Sequence, residues 1–161
     1  MAPPPAAAMR MKKTIAIISI LATLALYTCA LAGEARAPKP SQKDKCPVCG
    51  MFVYKYTDWI VSARKGDGSW IYFDGAKDFF KYHLADKGAI TEAYVTEYYG
   101  LAQTDAKSAF YVIGSNVYGP MGHELVPFAS RKDAEEFMAD HGGRAILTFD
   151  EINAGTIEGL K

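Results

Sequence analysis

Cysteine is scarce in this 161-residue chain, which has only Cys29, Cys46 and Cys49. Three thiols cannot form a disulfide scaffold, so stability has to come mainly from an apolar core. Net charge is equally absent: 18 basic residues balance 18 acidic ones, and no basic field exists to hold a nucleic-acid backbone. None of Ser41, Ser62, Ser69, Ser108, Ser115 and Ser130 lies in a G-x-S-x-G elbow, so a serine hydrolase has no support. The chain also lacks a phosphate-binding glycine loop and a dinucleotide fingerprint.

What is present fits a globular protein. Half of the residues are hydrophobic and 22% are charged, a length and balance for one domain or two very small ones. Ten tyrosines and eight phenylalanines fit a β-rich core.

The first 32 residues carry Arg10, Lys12 and Lys13 and no acid. Met9 and Met11 are better starts than Met1, because those cations then form a charged n-region ahead of an apolar stretch over residues 15–26. That stretch is too short to span a bilayer and reads as the core of a signal peptide covering residues 1–32. Two maturation routes stay open. Ala30-Leu31-Ala32 is a small-x-small cleavage site giving a soluble exported protein, whereas Leu26-Tyr27-Thr28-Cys29 is a lipoprotein signal that would lipidate Cys29. Both place the mature chain outside the inner membrane, in the periplasm. Without residues 1–32 the chain holds 15 basic and 18 acidic residues. Residues 33–45, with Pro38 and Pro40 among Lys, Gln and Ser, read as a flexible tether.

From Asp58 the pattern turns to β. Residues 59–63 and 70–73 are branched and aromatic, and Lys65-Gly66-Asp67-Gly68 between them predicts a hairpin turn. Asp74 is a candidate cap for a helix running to about Leu84, and residues 93–99 return to strand. The second half repeats this order: a strand over 109–113, a strand over 123–128, a helix opened by Ser130 and Asp133 and running to His141, and a strand over 145–149. Phe73, Lys77, Asp78 and Tyr82 fall on Phe128, Lys132, Asp133 and Phe137 at a constant offset of 55. The expected fold is therefore α+β, with two packed ββαβ lobes over about residues 46–100 and 101–161.

The chemistry centres on Cys46-Pro47-Val48-Cys49-Gly50-Met51. Its C-x-x-C spacing admits a plain disulfide, a thiol–disulfide exchange site, half of a structural zinc site, or a Cu(I) site. Exchange wants a helix start after the first cysteine, and Gly50-Met51-Phe52-Val53 is not one. Zinc wants four protein ligands, and the mature chain has no second C-x-x-C. Soft partners for Cu(I) stand in Gly119-Pro120-Met121-Gly122-His123, where an extended backbone would turn Met121 and His123 to one face. Met51 is a further thioether or the first core residue of the β region. His83 and His141 fall in the helices and read as dipole or cap interactions, and Asp74 and Asp78 as capping residues.

The leader, Cys46-Pro-Val-Cys49-Gly-Met51, Tyr72-Phe73-Asp74, Gly119-Pro-Met121-Gly-His123 and Pro127-Phe128, in that order, resemble the NosL family. The resemblance covers roughly residues 46–149. It implies a copper chaperone for assembly of nitrous oxide reductase, two ββαβ lobes related to part of the organomercurial lyase fold, and no catalytic role. It further implies Met121 and His123 as Met-x-His copper ligands, with Cys46 or Cys49 as sulfur donor. The implied partners are a copper-accepting apoenzyme and an upstream copper donor. The Cys-Gly-Met and Tyr-Phe-Asp stretches also resemble the small YHS metal-binding module, where a cysteine commonly follows Tyr-Phe; here that place holds Asp74.

Overall fold

Branched and aromatic residues after Asp58 build a first antiparallel sheet. The computed structural model describes residues 37–160. The expected signal peptide, Cys29 and residues 33–36 lie outside the described residues. Strands β1 (Val61–Lys65) and β2 (Trp70–Phe73) form the hairpin, closed by Gly68 at φ 83° and by the Lys65 amide donating to the Ser69 carbonyl at 2.9 Å. Helix α1 (Ala76–Ala85) follows, then β3 (Ile90–Thr96) and β4 (Gln103–Asp105). The sheet order is β2-β1-β3-β4, with Val61 opposite both Phe73 and Val95.

The second half contains β5 (Phe110–Ile113), β6 (Tyr118–Gly119), β7 (Gly122–His123), β8 (Val126–Phe128), α2 (Arg131–Asp140), β9 (Ala145–Thr148) and a short α3 (Ala154–Glu158). Its sheet order, β8-β5-β9, repeats β2-β1-β3: the first strand of each half lies in the middle, flanked by its hairpin partner and by the strand after the helix. Phe73 and Phe128, Ala76 and Arg131, and Ile90 and Ala145 each stand 55 residues apart, so the repeat extends to helix length. The halves differ in their hairpin connection. Four residues join β1 to β2, whereas twelve join β5 to β8 and carry the separate β6–β7 hairpin.

Two apolar clusters hold the sheets. Strand β5 serves both, since alternate side chains leave opposite faces. Tyr111 and Ile113 enter the larger cluster with Phe73, Phe79 and Phe80, while Val112 enters the smaller one with Val126, Phe128 and Phe137. Phe80 meets Tyr111 edge to face at 5.2 Å, and full burial of each such ring contributes about 1.5–3 kcal/mol. Ile157 of α3 and Leu160 return to the larger cluster. Among the described residues, no helix is long and apolar enough to cross a membrane.

Four expectations need correction. The stretch 37–45 is not a loose tether, because Ala37 is buried, Lys45 bridges Phe52, and the Val53 amide donates to the Asp44 carbonyl at 3.1 Å. The first sheet passes residue 100, since β4 completes it, and the halves interlock there: the Tyr98 amide donates to the Pro127 carbonyl and its ring lies 4.8 Å from Phe137. Residues 123–128 are two short strands rather than one, parted at Glu124 and Leu125. Asp74 does not cap α1. The N-cap is Gly75, with no side-chain hydrogen bond, which frees the Asp74 carboxylate for other contacts. Ser130 does cap α2, accepting from the Asp133 amide at 3.1 Å.

Candidate metal centre

The segment carrying Cys46 and Cys49 folds back on itself. The Cys46 amide donates to the Met51 carbonyl and the Gly50 amide to the Cys46 carbonyl, each at 2.9 Å, while Gly50 takes φ 78°. Positive φ costs glycine nothing, which suits it to this turn. No α-helix follows Cys49; the next elements are 3₁₀ turns at Val53–Lys55 and Thr57–Trp59. Both thiols are free.

Their sulfurs meet the start of α1. Cys46 Sγ lies 3.5 Å from Asp78 Oδ2, and Cys49 Sγ lies 3.2 and 3.3 Å from the two oxygens of Asp74. Asp74 and Asp78 are four residues apart across the first helical turn, so one turn presents both carboxylates. One ligand atom from each of Cys46, Cys49, Asp74 and Asp78 falls within 4.8 Å of the others, so the group can hold a metal ion. Three of the four residues are buried and Cys49 is half-buried. Lys81 Nζ sits 3.2 Å from Asp78 Oδ1 and offsets part of the negative charge.

Burial, reinforced for Cys46 by the Asp74 carboxylate, pushes that thiol well above its ordinary range. Burial also pushes Cys49 up, to about 11. The metal-free pair is therefore two protonated thiols hydrogen-bonded to carboxylates. Thiol–disulfide exchange calls for the opposite, a depressed thiol pKa. A cation that displaces both protons converts the same pair into strong soft donors.

Met121 and His123 occupy the β6–β7 hairpin, where Gly119 pairs with Gly122 and Tyr118 with His123. Met121 stands in the turn and Gly122 takes φ 85°, so the stretch is not extended and period-two alternation does not relate the two side chains. Met121 is 42% exposed, and the His123 ring lies 4.8 Å from that of Tyr118. Both line an open, largely apolar groove of about 740 Å³ together with Lys77, Lys81 and Leu84; neither thiol lines it. His123 lies outside the four-residue thiol–carboxylate group.

The hairpin and the thiol loop are fastened to the same helical turn through different residues. Lys77 Nζ donates to the Met121 carbonyl at 2.5 Å. The buried Glu124 accepts from the Lys77 and Leu125 amides through Oε1, and burial pushes its carboxyl up to about 7. Gly75 is required here, because a Cβ at that position would run into the Glu124 carboxylate.

The NosL family model matches residues 37–157, most of the chain. The chain belongs to the NosL family. A "copper-binding lipoprotein NosL" from Stutzerimonas stutzeri is 43% identical over 54 residues, a match covering 34% of this chain and 28% of the relative's length. The crystal structure of the copper chaperone NosL from Shewanella denitrificans superposes with a TM-score of 0.65 at 25% identity, covering 76% of this chain and 99% of that one. The mixed α+β fold with antiparallel sheets is thus a NosL fold.

Within this NosL-family fold, Met51 belongs to neither apolar cluster, and its sulfur accepts from the Tyr56 hydroxyl at 3.2 Å. His141 is the C-cap residue of α2, its ring tilted against that of Phe137 with centroids 4.4 Å apart. His83 stacks on Phe79 at 5.9 Å, and burial lowers its pKa. Asp74 and Asp78, read from sequence as capping residues, instead face the thiols. The available signal was the place Asp74 takes after Tyr72-Phe73, where the YHS module carries a cysteine. For Lys77 and Glu124 the sequence held no such signal.

Proposed function

We propose that this chain is an exported metallochaperone that binds Cu(I) as cargo and delivers it to a copper enzyme, nitrous oxide reductase during assembly of its copper centres. Cys46 and Cys49 supply thiolates, Met121 and His123 a thioether and an imidazole, and Met51 a further thioether. The observation that carries the reading is the pair of free, adjacent thiols aimed at one helical turn whose other contacts fasten the Met121–His123 hairpin. Binding of Cu(I) releases the protons that the thiols now share with Asp74 and Asp78. Sulfur and imidazole donors suit Cu(I) better than harder cations, and a donor set split between loop and hairpin is open to ligand exchange by an acceptor. An upstream donor loads the ion outside the cytoplasm, where the chain is free or held by a lipid on Cys29.

Competition against a Cu(I) chelator tests the reading. Under anaerobic conditions, Cys46→Ser, Cys49→Ser, Met121→Ala and His123→Ala should each weaken Cu(I) affinity, the cysteine variants most. Copper should then pass from the loaded chain to the apoenzyme. Unchanged affinity across all four variants would sink the assignment.

A further inference from the structure

The segment that carries the thiols is rich in cations that lack acidic partners. Residues 39–55 contain Lys39, Lys43, Lys45 and Lys55 against a single acid, Asp44, whose carboxylate accepts from the Ser41 amide at 2.6 Å. Residues 57–161 contain 10 basic and 16 acidic residues, so this is a positive segment in an otherwise acidic chain. Among the described residues none of the four lysines makes an ion pair.

Two of these lysines are held over an exposed ring instead. Lys45 Nζ lies 4.7 Å and Lys55 Nζ 5.9 Å from the Phe52 centroid, and Phe52 leans on Tyr54 at 6.2 Å. Phe52 and Tyr54 are each 38% exposed, and Val48, between the two cysteines, is 39% exposed. Clustered exposed apolar side chains mark an interaction surface, and cations already ordered over a ring lose less freedom on binding.

We infer that this face, made by Lys45, Val48, Phe52, Tyr54 and Lys55 around the thiol loop, docks an acidic surface of the copper-accepting protein. The inference rests on the copper-transfer reading above. Ligand exchange requires the acceptor's donors to reach bonding distance of Cys46 and Cys49, so the rim of the thiol loop must lie within the interface. The lysines steer an acidic partner to that rim, and Phe52 and Tyr54 anchor it there. A lipid surface in the same place would cover the exit route of the ion, which favours the protein partner.

Two measurements on the same variants test this: association of the metal-free chain with apo nitrous oxide reductase, and the rate of Cu(I) transfer to it, each at low and high salt. Lys45→Glu combined with Lys55→Glu should slow transfer about tenfold at low salt and abolish its salt dependence. Phe52→Ala should weaken association about fivefold with less change in salt dependence. Cu(I) affinity measured against a chelator should stay at the wild-type value in both. Unaltered association and transfer overturn the docking, as does absence of salt-dependent association by the wild-type chain. Loss of binding to phosphatidylglycerol vesicles with acceptor binding intact also overturns it, assigning the face to a membrane. Failure of the wild-type chain to bind Cu(I) overturns the copper reading instead, and the metal-free association measurement separates the two failures.

Discussion

Lys77 Nζ donates to the carbonyl of Met121 at 2.5 Å, while the amide of the same residue donates to Glu124 Oε1. One residue of helix α1 thereby grips the β6–β7 hairpin on both sides of His123. The helix whose neighbouring carboxylates face Cys46 and Cys49 also sets the position of the other proposed donors.

Replacing Lys77 with Met keeps the buried stem and removes the charged donor. Hydrogen bonds to charged groups contribute about 1.5–3 kcal/mol, so a loss of that order is expected in urea unfolding. Cu(I) affinity should fall about tenfold, as is usual when a residue supporting a metal ligand is lost. Lys132, the equivalent in the second repeat, has a side chain 80% exposed, and Lys132→Met should alter neither property. Equal effects at both positions would show that Lys77 acts through general helix stability.

The raised thiols give the metal-free protein a defined pH response. Cys49 titrates at about 11 against an ordinary value of 9.0, and Cys46 is raised further. Between those values the folded state holds protons that the unfolded state has released, so stability is full below about pH 9 and falls as pH rises through 11. Alkylation by iodoacetamide near neutral pH should accordingly be much slower than for a free thiol and should accelerate with pH. Asp74→Asn removes a carboxylate that raises both thiols, so it should speed the reaction at fixed pH.

Those behaviours depend on contacts only partly written in the sequence. The repeat was legible because Phe73 and Phe128, together with the helices that follow them, keep one spacing and one order. The site was legible in its sulfur and imidazole donors, since few residue types supply soft ligands. Its carboxylates were not, because an aspartate just ahead of a helix is usually a cap; only the fold shows Gly75 in that role. Nor does sequence tell Lys77 from Lys132, which share a repeat position but differ in burial once the hairpin packs over the first. The bend at Gly122, which undoes the expected alternation of Met121 and His123, is a backbone choice that a Gly-Pro-Met-Gly string permits without fixing.

Gly75→Ala tests the packing between helix and hairpin. The backbone there is extended, with φ −172°, so alanine meets no conformational penalty. The cost is steric, because the new methyl enters the space of the Glu124 carboxylate, which two backbone amides hold in place. Overpacking of this kind costs about 1–3 kcal/mol. Gly66→Ala, where a Cβ meets nothing within 4 Å, should leave the unfolding midpoint almost unchanged.

Phe80→Ala asks whether the two sheets unfold as one. The Phe80 ring is buried on α1 and meets Tyr111 of the second sheet, so its loss opens a cavity in the larger core at about 3–5 kcal/mol. The two tryptophans report on separate places, Trp70 packing on the larger cluster and Trp59 on the smaller. Because β5 belongs to both clusters, loss of the larger is expected to take the smaller with it. Fluorescence of Trp59→Phe and Trp70→Phe proteins should give one midpoint in urea, and adding Phe80→Ala should lower both alike. A Trp59 signal that kept its midpoint while the Trp70 signal dropped would show that the second lobe stands without the first.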